Sequence, residues 1–541
     1  MNLPKTWGAG ALFANENAAD DLSHALWGTL CGDVLGINFQ LTTPCTLYLD
    51  VRGAIKTNFS CVMPDFISGT VSAESGDISF CIAAVSARVV VVHTEPSVPV
   101  RLCIHGDAKC ETTEEKQIYS CGNDVFYLSR SADGRTCVFS ADDCGANEYF
   151  SANLENDFMQ KHSAENLPEI QSEFEPLYRK CMAVVRTNIF LHKGKKIFGE
   201  YACGFRANSA DVLLRSVALK GVFKQCAADT CLTVANSIRA DGSVPCELTT
   251  DTGTAPPLIA WAFDRIFGHD VQAINQYYDS LRKTVMYYIN SRDIDKNNLY
   301  QWTSGGAVDS GKINSPRFDG SVIISGVDLS AYMYMSVTAM RRMAELINRN
   351  SDILYWGVMA ERIKTAATDF LYDMGFYYDR EIVRHKQIKL KTSDGFMPLF
   401  AQMCTPSQTA ALIKHMNNKE EFGAAYGVPS VARNEKSYCA DMHRGPIWLN
   451  DNFKIAYGLK KSERNDEAEK LVSKCLEAVR RALVRDGVIY EFYSPSSCAD
   501  NCLLTANGCG GSPHALFAAS ANHRDNASAA AMTLGMVNLF I

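Results

Sequence analysis

The chain has 541 residues, 47% hydrophobic and 21% charged, the composition of a globular protein long enough to bury a large core without disulfide staples. Its 53 basic and 60 acidic residues leave a net charge of −7 with no basic cluster, which excludes a nucleic-acid or anionic-membrane footprint. No stretch reaches the roughly 18 consecutive apolar residues of a membrane helix.

The start, MNLPKTWGAGALFANENAADD, is broken by glycine, asparagine and acidic residues and does not read as a secretory signal. The 20 cysteines run from Cys31 to Cys509 without a repeating frame, so they read as reduced, buried small hydrophobes of a cytoplasmic protein. The sequon at Asn58 carries no weight without secretion. From residue 1 to about 150 the pattern is that of strands: Cys45, Leu47, Leu49 and Val51 alternate with polar neighbours. Further β-type runs (ISFCIAAV, ARVVVVHTE, VRLCIHG, DVFYLSR, RTCVFSA) are separated by turn-formers such as ESGD, HGDAK, CGND and SADG. The prediction is a β-sandwich domain over 1–150.

Residues 151–190 turn acidic and helical and read as a linker. Beyond them the period is 3.6. Met333, Val337, Met340, Ala344 and Ile347 form one stripe, and Trp356, Met359, Ile363, Ala366 and Phe370 a second. Ala468, Leu471, Cys475, Val479 and Ala482 form a third; each is core, not a cofactor box. Between the helices lie long loops: DGSVPCEL, YQWTSGGAVDSGKINSPRFDGS, SDGFMPLF, AYGVPSVAR, HRGPIWLND and YEFYSPSS. Loops of that length in a compact domain carry function more often than not. Their aromatic rings beside Asp, Glu, Arg and Asn suit a small saccharide: rings cover the apolar faces of a pyranose and polar groups bind its hydroxyls.

Several ordered motifs in these loops resemble glycoside hydrolase family 63, in particular its mannosylglycerate hydrolase-like bacterial members. They are Asp241-Gly242-Ser243-Val244-Pro245, the helix start Pro256 to Ala262, Asn314-Ser315-Pro316-Arg317-Phe318-Asp319 and Val327-Asp328-Leu329. FMPLFAQMCTPSQ, YGVPSVAR, RGPIWLNDNF and YEFYSP follow in the same order. The resemblance runs from about Leu167 to Leu539. It implies a β-sandwich followed by an (α/α)6 toroid over 191–541, with the active site at one mouth. It also implies an inverting glycosidase acting on α-glucosides or α-mannosides of small saccharides. In such an enzyme one carboxylic acid protonates the leaving oxygen, and a second carboxylate about 6.5–9.5 Å away activates water.

Glu491, in the YEFYSP segment, matches the general base. The general acid of the family directly precedes N-S-P-R, and here that residue is Ile313, which cannot donate a proton. Asp309 is the carboxylate between Trp302 and Asn314 and is the substitute the loop offers, against an alternative role in an Asx turn. The family's W-D pair is Ala210-Asp211, and its aromatic-R-G-P-x-W is His443-Arg444-Gly445-Pro446-Ile447-Trp448, a ring fewer in each. Asp211, Arg317, Asp319, Arg444 and Trp448 carry over as substrate contacts, with Gln402 and Tyr426 behind them. Two other readings stay open: a toroid phosphorylase, and a carbohydrate-binding toroid that has lost its acid.

No metal and no cofactor is expected. Asp293, Asp295, Asn297 and Asn298 start like a calcium loop but no glutamate closes it, so a polar turn is expected. Cys498, Cys502, Cys509 and His514 are zinc-type ligands in a spacing that matches no compact zinc module. Walker, Rossmann and nucleophile-elbow motifs are absent. The oligomeric state is left open.

Overall fold

The computed structural model describes residues 12–14, 27–30, 36–39, 45–51, 53–62, 65–104, 107–122, 124–150, 153, 154, 156, 157, 168–201, 205–303, 310–320, 323–486, 488–497, 501, 504 and 525–540. Within them the change of hydrophobic period is a change of architecture. The alternating segments form β1 (Leu12–Ala14), β2 (Trp27–Leu30), β3 (Gly36–Phe39), β4 (Cys45–Leu49), β5 (Ala54–Val62), β6 (Phe66–Ala73) and β7 (Gly76–Ser86). β8 (Val89–Glu95), β9 (Val100–Ile104), β10 (Lys109–Thr112), β11 (Lys116–Cys121), β12 (Asp124–Arg130) and β13 (Thr136–Ser140) follow. One antiparallel sheet has the order β1-β2-β3-β4-β9 and the other β10-β11-β12-β13-β8-β7-β6-β5. In β4 the alternation is literal: Cys45, Leu47 and Leu49 are buried and the residues between them half-buried. They share one core with Val90, Val92, Phe126, Leu128 and Phe139 of the second sheet, and the rings of Phe39 and Phe139 meet at 5.1 Å.

The helical region comprises α1 (Glu175–Thr187), α2 (Ser209–Leu219), α3 (Lys224–Asn236), α4 (Ile259–Phe267), α5 (Val271–Ser291) and α6 (Val327–Leu346). It continues with α7 (Asn350–Phe370), α8 (Met397–Phe400), α9 (Pro406–Asn417), α10 (Leu449–Lys461), α11 (Asn465–Asp486) and α12 (Ala527–Asn538). α2 packs on α4, α4 on α6, α6 on α8, α8 on α10, α10 on α12, and α12 returns to α2. Around this closed succession α3, α5, α7, α11 and α1 each lie against one or two of its members.

Small residues let the inner helices approach. A Cβ on Gly535 of α12 would stand 2.8 Å from the Ala218 side chain and 2.9 Å from Phe453, and one on Gly458 of α10 would meet the Leu399 backbone at 2.8 Å. Helix starts are fixed by side-chain caps. Asn208 accepts from the amides of Ala210 and Asp211, Asn526 accepts from Ala529, and Thr405 with Gln408 forms a capping box. Among the described residues no helix is long and apolar enough to cross a membrane.

Candidate active site

The N-terminal ends of α2, α10 and α12 meet. Asn450, in the first turn of α10, donates its Nδ2 to Asp211 Oδ1 at 3.1 Å and accepts from Ser528 of α12 at 3.1 Å. Asp211 sits in the first turn of α2, buried deeply enough that its carboxyl is pushed above the usual range; Arg215 opposes the shift and Glu200 adds to it. Glu200 is itself held on three sides. Arg215 Nη2 reaches its Oε2 at 2.9 Å, while Asn526 Nδ2 and the Ala527 amide reach Oε1 at 2.6 and 3.3 Å.

Glu491 completes this carboxylate group. Its backbone neighbours are clamped from α12 and the segment before it: the Ile489 amide donates to Asp525 Oδ1 at 2.9 Å and the Asn526 amide to Ile489 O at 2.8 Å. Asp525 Oδ2 in turn accepts from Lys180 Nζ of α1 at 2.7 Å, and both side chains are buried. On the other flank Phe492 and Tyr493 pair with Trp448 and Ile447 as a short antiparallel ladder. Glu491 Oε2 lies buried without a hydrogen-bond partner. Burial pushes the Glu491 carboxyl up to about 8, with the charges of Glu200 and Asp211 contributing in the same sense. Once ionised, a buried, unpartnered carboxyl oxygen beside two further carboxylates is able to hold and deprotonate a water.

The wall beside it is aromatic. Trp448 lies 5.1 Å from the Phe492 ring, and its Nε1 donates to Met442 O at 3.0 Å. The His443 imidazole stacks on Trp448 at 3.9 Å and 16°. The sequence suggested a ring lost at this position, but imidazole supplies a flat partner. Burial and the nearby Lys312 hold His443 well below its usual pKa, so it stacks as a neutral ring.

The 310–319 loop crosses the same region. Asn314 takes a left-handed backbone (φ 64°), donates its amide to Asp441, and accepts from Arg444 Nε at 3.2 Å. Arg444 Nη2 also holds both oxygens of Asp319, at 2.7 and 2.9 Å. The side chain of Ile313, one residue before Asn314, is 44% exposed. Asp309 lies outside the described residues, as do Cys498, Cys502, Cys509 and His514. Arg317 is 1% exposed, and its guanidinium binds Asp328 at the start of α6 (2.7 Å), Asp379 (2.6 Å) and Asp394 (3.1 Å), which ties its loop to three separate segments. Buried Lys312 pairs with Asp451 and stands 3.7 Å from Asp394; these two carboxylates keep it charged against the cost of burial.

Of the residues read from sequence, the structure therefore gathers Asp211, Glu491 and Trp448 at one end of the helices, with Arg444 and Asp319 paired on the loop beside them. Gln402 lies elsewhere, its amide on the carbonyls of Leu399 and Gly458 toward the far end of α10. Tyr426 stays near the base segment through its amide, 3.3 Å from Pro495 O. Glu200 and Asp525 were not legible, because nothing in their local spacing marks them and their partners are far along the chain; Asn450 sits inside the RGPIWLNDNF motif but was not singled out from it. The Asp293 turn is closed on itself: its carboxylate accepts the amides of Asn297 and Asn298 at 3.0 and 3.3 Å, and Asn297 Nδ2 takes Asp295 at 2.8 Å. Among the described residues no cluster of three or more His, Cys, Asp or Glu side chains is arranged to hold a metal.

A model of the mannosylglycerate hydrolase MGH1-like glycoside hydrolase domain matches residues 207–514. Mannosylglycerate hydrolase MGH1 of Selaginella moellendorffii is 29% identical over 164 residues, 30% of this chain and 30% of that protein. The mannosylglycerate hydrolase of Thermus thermophilus is 32% identical over 141 residues, 26% of this chain and 30% of that protein. The match thus spans about 30% of the length of these curated relatives. The crystal structure of a GH63 mannosylglycerate hydrolase, also from Thermus thermophilus, in complex with Tris and D-glycerate, superposes with a TM-score of 0.55 at 18% identity, covering 67% of this chain and all of that one. A bacterial glucoamylase complexed with acarbose superposes at 0.60 and 10% identity, covering 99% and 94%. At these identities the structural likeness is one of fold.

Proposed function

The chain belongs to the mannosylglycerate hydrolase MGH1-like glycoside hydrolases of family 63, and from that premise we propose an inverting glycosidase acting on α-mannosides or α-glucosides of small saccharides. The observation that carries it is Glu491: a buried carboxyl, one oxygen unpartnered, beside Asp211 and Glu200 and against the Trp448 wall. In this reading Glu491 takes the proton of a water that attacks the anomeric carbon. Asp211 and Trp448 contact the sugar, and Arg444 with Asp319 borders the subsite. Arg317 acts beneath them by holding the loops in place. The proton for the leaving oxygen comes from the opposite ring face, where Ile313 stands in the usual place of the acid and Asp309 is the carboxylate the loop supplies.

The layout proposed is a β-sandwich over 1–150, a linker over 151–190 and an (α/α)6 toroid over 191–541. The closed succession of α2, α4, α6, α8, α10 and α12 would be its inner ring. α1, the helix of the linker, packs on α12 and so ties the linker to the helical region. A cytoplasmic setting is proposed from the scattered cysteines, read as reduced thiols.

The test is hydrolysis of mannosylglycerate, glucosylglycerate and aryl α-glycosides, with the anomer of the first-formed sugar followed by NMR. Inversion with loss of at least a thousandfold in Glu491→Gln is expected. Asp309→Asn should abolish turnover of alkyl and glycerate leaving groups and hurt aryl substrates far less, since these need little protonation. Sugar binding without turnover of any glycoside would instead establish the acid-less binding protein that Ile313 allows.

A further inference from the structure

The opposite ends of the same helices border an open pocket of about 1020 Å³, at whose rim Lys220, Val222 and Lys461 are exposed. Its wall includes Lys220 just after α2, Arg265 of α4, and Lys460 and Lys461 at the end of α10, and no carboxylate lines it among the described residues; Arg186 of α1 also borders it but is engaged elsewhere. For a chain with more acidic than basic residues, that concentration of one sign is unusual. At about 1.5 Å per helical residue, the run from Asp211 to Lys220, or from Trp448 to Lys461, places this pocket on the order of 15 Å from the carboxylate group.

Cations at helix C-termini are ordinarily explained by the helix dipole, which one lysine or arginine per helix end satisfies. Three of these helix ends carry one such cation and α10 carries two, so the number is what the dipoles ask for; what differs is where the charged groups lie. Lys220 Nζ does bind a carbonyl, that of Arg265, at 2.8 Å. The two α10 ammonium groups, however, lie over aromatic rings: Lys460 is 4.6 Å from the Phe540 ring and Lys461 is 5.7 Å from the Tyr457 ring. Arg265 Nε is buried without a hydrogen-bond partner. Its nearest carboxylate, Asp264, stands 3.9 Å away and is engaged by Arg342. The crowding is felt within the pocket, where burial first, then Arg265 and Lys461, lower the pKa of Lys220. Like charges gathered around a space far larger than one phosphate are relieved by an anion of several charges.

We propose that this pocket binds an organic polyphosphate, remote from and independent of the hydrolytic site. Arg265 and Lys220 would take the phosphate oxygens, and the amides of Asn465 and Asn538, on the same wall, would face its uncharged part.

The experiment is calorimetric titration of the full chain with ATP and, separately, with inorganic phosphate, at low and high ionic strength. The double variant Lys220→Gln/Lys461→Gln and the single variant Glu491→Gln are titrated alongside. ATP is expected to bind, to weaken with salt, and to bind at least tenfold more weakly in the double variant, with inorganic phosphate at least tenfold weaker than ATP. Glu491→Gln should leave ATP binding unchanged, and the double variant should keep its far-UV spectrum and its unliganded hydrolytic rate. Absence of ATP binding to the wild type, or equal ATP affinity in the double variant, overturns the proposal. Inorganic phosphate binding as tightly as ATP, or ATP lost in Glu491→Gln, overturns it as well.

Discussion

Glu491 concentrates the chemistry and its cost. A base must be ionised to accept a proton, so a carboxyl held up to about 8 predicts that kcat/KM rises with pH through an apparent pKa near that value. Asp211→Asn removes one of the negative charges that raise it and should move this limb to lower pH, which a pH–rate profile of both forms would show. The same shift bears on stability. Between the ordinary glutamate value and about 8 the folded state keeps a proton that the unfolded state releases, so stability falls as pH rises across that window. Glu491→Gln removes the penalty: at pH 8 its Tm should exceed that of the wild type by several degrees, while at pH 4 the two should coincide. A melting series over pH 4–9 checks both. An inactive variant that is more stable is the usual signature of a site strained for function.

At the scale of elements, the base segment is positioned by groups on α1 and at the start of α12. Asp525 receives Lys180 on one oxygen and the Ile489 amide on the other. Asp525→Ala leaves Lys180 without that carboxylate and frees the segment entering Glu491. A loss of about 3–5 kcal/mol follows from breaking a buried pair, measurable by denaturant unfolding. Because the effect on catalysis is one of placement, kcat should fall well before KM changes. Removing the cap in Asn208→Ala should cost about 1 kcal/mol, and it also loosens the first turn that carries Asp211. Thus one helix start serves both as a stop for backbone amides and as the mount of a site carboxylate.

At the scale of the molecule the two largest buried apolar clusters among the described residues are separate. One gathers side chains from the two sheets, the other from the helical region, and no residue belongs to both. Phe139, buried between the sheets, and Trp356, buried in the helical core, report on each in turn. Phe139→Ala and Trp356→Ala should each cost about 3–5 kcal/mol. In a calorimetric scan each should move a different transition; a single transition displaced by both would show one cooperative unit instead.

What the sequence determined by itself was local and periodic. Alternation at Cys45 to Leu49 placed a strand, a 3.6 period at Met333 to Ile347 placed a helix, and ordered loop motifs pointed to a sugar-hydrolase ancestry that the family match bears out. These features are readable because a buried face repeats with the geometry of its own backbone. The loop motifs also drew attention to Glu491, Asp211 and Trp448, which share one end of the helices. Tertiary structure alone decided the rest, because it depends on residues far apart in the chain. Glu200 joins Asp211 and Glu491 only once α12 lies beside α2, and Lys180 meets Asp525 across 345 positions. The raised carboxyl of Glu491 is likewise a property of burial and of neighbouring charge, and neither is written in the residues that flank it.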